Sequence, residues 1–411
     1  MEDWESISSE FCCSETMRHE LKQCLKYAEI IGVDIKDILR SMRDKNELPC
    51  PDKKTGIKRL KQFRDRICDG ENTLVKTTGT RGSTLDTGLI YIEKRIREHP
   101  RTEQIVSRFP TAKIQLINSY KDVYYNHSGN ENNNGKTYMI LAEKTDETIL
   151  PGAPVCQDFD ERYFYYTSSA KGCLYDCEYC YLKGMHPSRD LLIYVNIEDI
   201  FRDLEKLLTE HGAYVCLSYD TDLMVLEDIA GYVSLWMDFT QKRPALLAEC
   251  RTKCARNDLW EKLTPCDRMI FAFTLSPDEV IRAFEHRTPT LMQRLRSAKE
   301  AMEKGFTVRL CFDPILRIPG WRDAYARMVR TVADELDMKK VRDISVGTFR
   351  ISQDYLKRIR LSEPDSAAVQ YPFLNEAGVY GYPEEERSEM MGLVMDMLKD
   401  AASDIPVVAI P

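Results

Sequence analysis

The chain has 411 residues, 43% of them apolar and 30% charged, so it has room for two or three units around a sizeable core. Its net charge of −8 argues against a protein that coats duplex DNA by charge alone, although a local basic groove stays open. No segment approaches the roughly 20 apolar residues of a membrane span. Acidic Glu2, Asp3 and Glu5 behind Met1 are the wrong start for an export signal. The expectation is a cytoplasmic protein with reduced thiols and no membrane partner.

Residues 1 to about 75 read as helical. Leu21, Leu25, Ala28, Ile31, Val33, Ile35 and Leu39 recur at helical spacing within Thr16–Arg43. A second helix, Ile57–Ile67, is basic, with Lys58, Arg59, Lys61, Arg64 and Arg66. It is expected to show a solvated face rather than a nucleic-acid contact. Cys12, Cys13, Cys24, Cys50 and Cys68 match no metal-binding spacing. Thr77–Thr87, rich in Gly, Ser and Thr, is the best linker. A strand is expected at Leu89–Ile92, a helix at Arg101–Phe109, a polar loop at Asn126–Lys136 and a strand at Tyr138–Ala142.

From Tyr163 strands and helices alternate. The strands are Tyr163–Thr167, Ala213–Ser218, Ala245–Cys250, Arg268–Thr274, Phe306–Phe312 and Asp343–Phe349. Helices at Ile197–His211, Met224–Gln241, Thr290–Lys304 and Asp323–Leu336 separate several of them. This β-α repetition predicts an α/β fold, a partial (β/α)6 barrel of parallel strands with an additional N-terminal helical region. A helix at Glu384–Ala401 and a short tail, Pro406–Ile410, close the chain. The expected division is an N-terminal extension with linker at 1–87, a small α/β portion at 88–160 and the barrel with its closing helix at 161–411.

In such barrels the loops after the strands carry the chemistry. The loop after the first strand holds Cys173, Cys177 and Cys180 at the spacing C-x3-C-x2-C. Cys thiolates hold iron–sulfur clusters. Three of them on a four-iron cubane leave one iron without a protein ligand, and an open position on a metal is where chemistry happens. Zinc would want a fourth ligand at a short paired spacing. The nearest downstream histidine, His186, lies on a Pro-containing stretch with no second half-site.

The three-cysteine spacing and its tyrosines resemble the radical S-adenosylmethionine superfamily. The run Gly172-Cys-Leu-Tyr-Asp-Cys-Glu-Tyr-Cys-Tyr-Leu-Lys183, followed by Ile193–Phe201, resembles the spore photoproduct lyase family more closely. Upstream, the run from Tyr91 to Arg95 fits the same pattern. Downstream, Arg251-Thr-Lys253, Phe273-Thr-Leu-Ser276, Phe284-Glu-His-Arg-Thr288, Gly305-Phe306, Asp313-Pro-Ile315, Gly320-Trp321 and Phe349-Arg350 fall in matching order. The resemblance covers about residues 88–411.

It implies a [4Fe-4S] cluster on Cys173, Cys177 and Cys180, with S-adenosylmethionine on the open iron. Cleavage of that cofactor gives a 5′-deoxyadenosyl radical that takes hydrogen from a substrate, in the family a thymine dimer in DNA. It further implies Ser218 and Lys253 as contacts to S-adenosylmethionine, Thr274 and Ser276 near its ribose or sulfonium region, and Tyr179 and Tyr181 beside the reaction path. An electron donor such as flavodoxin or ferredoxin and a DNA or nucleotide substrate are the implied partners, and DNA repair the implied task. One departure stands out. The family's hydrogen donor is a cysteine after the second strand, and Tyr219 takes that place here. Cys216, Cys250, Cys254 and Cys311 are alternative donors. Alternation puts Cys311 on the same strand face as Asp313, toward the barrel interior.

Asp313 is expected to orient substrate or cap a turn, and Arg350 to meet a phosphate or a surface carboxylate. For His286-Arg287 a structural role weighs equally with a cofactor contact. Rival readings are a related radical enzyme acting on another nucleotide, a metabolite or a peptide, and a non-catalytic iron–sulfur or nucleic-acid-binding protein. Ser218 and Lys253 speak against the last.

Overall fold

The structure is a computed structural model that describes residues 4–68, 84–126, 136–152, 158–402 and 404–410. Four helices open the chain: Trp4–Glu10, Glu15–Ile31, Ile35–Asp44 and Lys53–Cys68. The run expected as one helix over Thr16–Arg43 is therefore two. Gly32 ends the first at φ +72°, a left-handed conformation that costs glycine little. Asp34 then caps the second by accepting from the Lys36 N–H at 2.9 Å. Phe11, Leu21, Leu39, Leu60 and Phe63 bury themselves between these helices.

The basic helix is not simply solvated. Lys53, Lys54 and Lys58 face water. Arg64 is buried and pairs with Glu386 at 3.2 Å, while Arg66 pairs with Glu47 at 3.0 Å. Glu386 belongs to the helix Glu384–Ala401, whose bounds are those expected, and it also takes Arg317 at 2.6 Å. Tyr27 packs edge-on against Tyr371 with ring centroids 5.3 Å apart. The four-helix unit thus docks on the C-terminal side of the main body.

A five-stranded sheet follows. Lys113–Ile117, Thr84–Glu93, Lys136–Ala142 and Leu191–Tyr194 run parallel, and Ala170–Lys171 pairs antiparallel at the edge. The expected linker and polar loop lie largely outside the described residues. Their described ends are strand at 84–87 and Lys136 and turn at Asn126.

The main sheet contains every strand expected for the barrel: Phe164–Tyr166, Ala213–Cys216, Leu246–Thr252, Met269–Thr274, Thr307–Ile315 and Val341–Thr348. All are parallel and adjacent in chain order. The tail forms a further parallel strand, Val407–Ile410, beside the sixth, and Leu150–Pro151 pairs antiparallel at the other edge. The short tail, for which the sequence suggested no element, is thus part of the sheet. Val407, Val408 and Ile410 are apolar and β-prone, and the sixth strand offers them a free edge. The helix expected over Met224–Gln241 splits at Gly231, which is left-handed.

One face of this sheet is charged. Glu249 and Arg251 share a side of the third strand, Arg309 and Asp313 of the fifth, and Asp343 lies on the sixth. Arg309 Nη1 pairs with Glu249, and its fork also takes both oxygens of Asp343. Arg251 bridges Glu249 at 3.3 Å and Asp313 at 3.2 Å, and Arg350 reaches Asp313 at 3.1 Å. Cations and anions alternate along this row, and Arg309 is buried.

Removing one member of a buried ion pair strands its partner. Arg309→Met should lower unfolding stability by about 3–5 kcal/mol in urea titration. Arg342→Ala, which removes a more exposed contact to the same Asp343, should cost about 1 kcal/mol or less. Equal losses would contradict a structural role for the charged row.

Candidate active site

The three cysteines sit where the first strand hands over to the five-stranded sheet. Gly172, at φ +89°, starts their loop, and a Cβ there would come within 2.7 Å of the Asp190 carbonyl. The Gly172 N–H bonds the Asp220 carbonyl at 3.0 Å. Asp176–Cys177 then pairs antiparallel with Glu285–His286, from the loop after the fourth strand. The Glu178 N–H bonds the Phe284 carbonyl at 2.9 Å, and the Glu178 carboxylate meets His286 Nε2 at 2.8 Å. His286 therefore fastens the cysteine loop, which is the structural role weighed for it.

Burial pushes all three thiols up, Cys177 to about 12. Metal binding displaces such protons. Among the described residues no three His, Cys, Asp or Glu side chains converge as ligands of one metal ion. Three thiols on one loop are a donor set that an iron–sulfur cluster would use, each thiolate taking a different iron. Every described cysteine is a free thiol.

Lys253 follows the third strand and reaches back to this loop. Its backbone N–H is held by Asp222 at 2.8 Å, and Thr252 Oγ1 donates to the same carboxylate at 2.8 Å. Its Nζ lies 3.1 Å from Tyr179 Oη, 3.8 Å from Cys177 Sγ and 3.5 Å from Glu285 Oε1. Tyr179 Oη and Ser276 Oγ both donate to Glu285, Ser276 at 2.8 Å. Arg294 pairs with Glu285 as well, and its Nη1 takes the Thr274 carbonyl at 3.0 Å. Arg294 and Lys253 hold the Glu285 carboxyl far below its ordinary range, against the opposing effect of burial.

The structure therefore gathers Cys177, Tyr179, Lys253 and Ser276 around one carboxylate, with Thr274 joined through its backbone. Glu285 and Arg294, the centre of this group, were missed in the sequence. Glu285 lies in the Phe284–Thr288 run, but no periodicity tells that the run folds back to pair with Cys177. Ser218 stands apart, with its Oγ 3.4 Å from Cys250 Sγ. The other two tyrosines form a second group: Tyr181 Oη donates to the Tyr219 carbonyl, and the Tyr219 ring lies 4.1 Å from that of Tyr166.

Tyr219 and Tyr166 border a cleft of about 1000 Å³, lined also by Cys173, Cys180, Lys171 and Asp220. Cys311 faces Arg251 and Ser345, as alternation predicted, and it is buried with Cys250 and Cys254. Asp313 is shared by Arg251 and Arg350. Arg350 is thereby engaged inside the protein.

On the cleft wall, Ser168 Oγ donates to Asp220, and burial raises the Asp220 carboxyl from 3.8 to about 6. His186, 3.5 Å from Asp220, is pushed down to about 3 by burial and stays neutral. A carboxyl raised in the folded state binds its proton more tightly there than in the unfolded chain. Its stabilising contribution is therefore full below pH 3.8 and lost as pH rises through about 6. Asp220→Asn should remove this slope. Unfolding titrations from pH 4 to 7 should show the wild type losing stability relative to the variant, and parallel curves would contradict the assignment.

A model of the spore photoproduct lyase family matches residues 86–361. The chain is 22% identical over 293 residues to a spore photoproduct lyase of Geobacillus sp., covering 69% of this chain and 82% of that protein. It is 23% identical over 293 residues to that of Bacillus subtilis, with the same coverage. Among solved structures, a spore photoproduct lyase double mutant with bound AdoMet and dinucleoside spore photoproduct is similar at a TM-score of 0.65 and 17% identity, over 81% of this chain and 99% of that one. A spore photoproduct lyase complexed with dinucleoside spore photoproduct is similar at 0.66 and 18%, over 79% and 98%. The four N-terminal helices precede the family match.

Proposed function

The chain belongs to the spore photoproduct lyase family of radical S-adenosylmethionine enzymes, and on that premise we propose that it abstracts hydrogen from a nucleotide lesion, a thymine dimer in DNA being the leading substrate. The observation that carries this reading is the approach of Lys253 Nζ to Cys177 Sγ and Tyr179 Oη at the carboxyl ends of the parallel strands. A non-catalytic iron–sulfur protein would have no use for a part-buried ammonium beside its cluster loop.

Cys173, Cys177 and Cys180 hold a [4Fe-4S] cluster, which the donor set fits. The chemistry such a group supplies when bound is one-electron cleavage of S-adenosylmethionine to a hydrogen-abstracting carbon radical. A reduced flavodoxin or ferredoxin is the proposed source of the electron. Lys253 binds the cofactor's carboxylate by a charge-assisted hydrogen bond. Ser218 lines the same end of the sheet, and Thr274 and Ser276 shape the wall beside Lys253. Tyr179 is buried and Lys253 partly so, which limits the water that reaches this side of the site.

The tyrosine-lined cleft takes the substrate, a role supported by its aromatic rings and by Lys171, since base–aromatic stacking and cations favour nucleotides. Solved relatives bind dinucleoside spore photoproduct. Tyr219 stands where the family keeps its donor cysteine, and a phenol can return the hydrogen atom that a thiol returns in the family. This substitution favours one rival, a related lesion or nucleotide in place of the thymine dimer.

Anaerobically reconstituted protein should carry about four irons per chain. Cys173→Ala, Cys177→Ala and Cys180→Ala should each lose the cluster or S-adenosylmethionine cleavage, and full cleavage by any one would overturn the ligand set.

Tyr219→Phe should still cleave S-adenosylmethionine. With dinucleoside spore photoproduct it should release by-products instead of repaired thymines. Normal repair by this variant would move the donor to a thiol such as Cys216. No turnover of the dinucleoside by wild-type protein, alongside ready cofactor cleavage, would point to the rival substrate.

A further inference from the structure

Glu285 and Arg294 make an ion pair with no solvent exposure on either side. Arg294 is fixed there. Its Nε donates to the Pro289 carbonyl at 3.0 Å, Nη1 to the Thr274 carbonyl at 3.0 Å, and Nη2 to Thr288 Oγ1 at 2.8 Å. These partners come from the end of the fourth strand and from the turn before the helix Leu291–Glu303 that carries Arg294, so the guanidinium is held from two sides. Glu285 is equally fixed, because its backbone pairs with Cys177 and its side chain accepts from Tyr179 and Ser276.

Lys253 is held differently. Its three contacts, to Tyr179, Glu285 and Cys177, lie at 3.1, 3.5 and 3.8 Å, and none is a tight ion pair. Of the three charged side chains, two are cations and one is an anion. Arg294 satisfies that anion, and the surplus positive charge rests on Lys253.

We propose that Arg294, by pairing with Glu285, is a positioning residue that keeps Lys253 available to the carboxylate of a bound S-adenosylmethionine. Arg294 saturates Glu285, so the carboxylate does not capture Lys253. Without Arg294, Glu285 would close on Lys253 as its own counter-ion, and the cofactor would have to compete for it. The inference rests on the reading of Lys253 as a cofactor contact.

The test is calorimetric titration of S-adenosylmethionine into anaerobically reconstituted protein. Iron content and urea midpoint are measured for each variant. Arg294→Met should weaken binding at least tenfold with the cluster retained. The neutral pair Glu285→Gln with Arg294→Met should bring affinity back to within about threefold of wild type. Glu285→Gln alone keeps the shape of the site and removes the competing charge, so it should bind as tightly as wild type or more tightly. It carries the test should Arg294→Met fail to fold.

Wild-type affinity in folded Arg294→Met would overturn the proposal, as would no recovery in the double variant or a tenfold loss in Glu285→Gln. Lys253→Ala runs alongside. If it binds S-adenosylmethionine unchanged, the reading of Lys253 falls, and the positioning role falls with it. If it binds weakly while the Glu285 and Arg294 variants miss their expected values, only the positioning role falls.

Discussion

A lysine ammonium drawn partly out of water needs partners, and the position of Lys253 sets that requirement for the whole site. Its Nζ is wedged between a phenol, a carboxylate and a cysteine sulfur. Burial disfavours its charge, and the anionic surroundings more than make up for it. Those surroundings come from distant parts of the chain: the cysteine loop after the first strand, the turn after the third, and the segment after the fourth. The site exists only where these chain ends meet, at the carboxyl edge of a parallel sheet. That is where βα folds place their chemistry.

The rest of the fold keeps those ends in place. The charged row from Arg350 through Asp313, Arg251, Glu249 and Arg309 to Asp343 ties the third, fifth and sixth strands together. Buried ion pairs add little net stability over apolar packing, but a shifted strand would leave charges unpaired. The row therefore selects register. The N-terminal helices use the same device at another place, where Arg64 and Arg317 share Glu386. That second cluster links the segment outside the family match to the helix that closes the main body.

Much of this was legible in the sequence, for identifiable reasons. The six barrel strands are short apolar, β-branched runs between helical stretches, and such runs have few alternatives. The cysteine spacing is local, so it survives in one dimension. The failures are of long range. Gly32 looks tolerable inside a helical pattern, and only the structure makes it a terminus. Val407–Ile410 became a strand because an edge was free beside the sixth strand. Arg64 reads as one more surface cation until the helix carrying Glu386 packs against it. Glu285 is adjacent in sequence to His286, and the eye goes to the histidine. The carboxylate holds the centre because the chain folds back on Cys177.

The account stands on one claim, that the cysteine loop and Lys253 together present a cluster iron to S-adenosylmethionine. Low-temperature electron paramagnetic resonance of the reduced, reconstituted protein tests it most directly. Adding S-adenosylmethionine should change the g-values of the cluster signal, because on the proposed reading the cofactor would ligate the iron that the three cysteines leave open. A signal that stays the same at saturating S-adenosylmethionine would contradict the account.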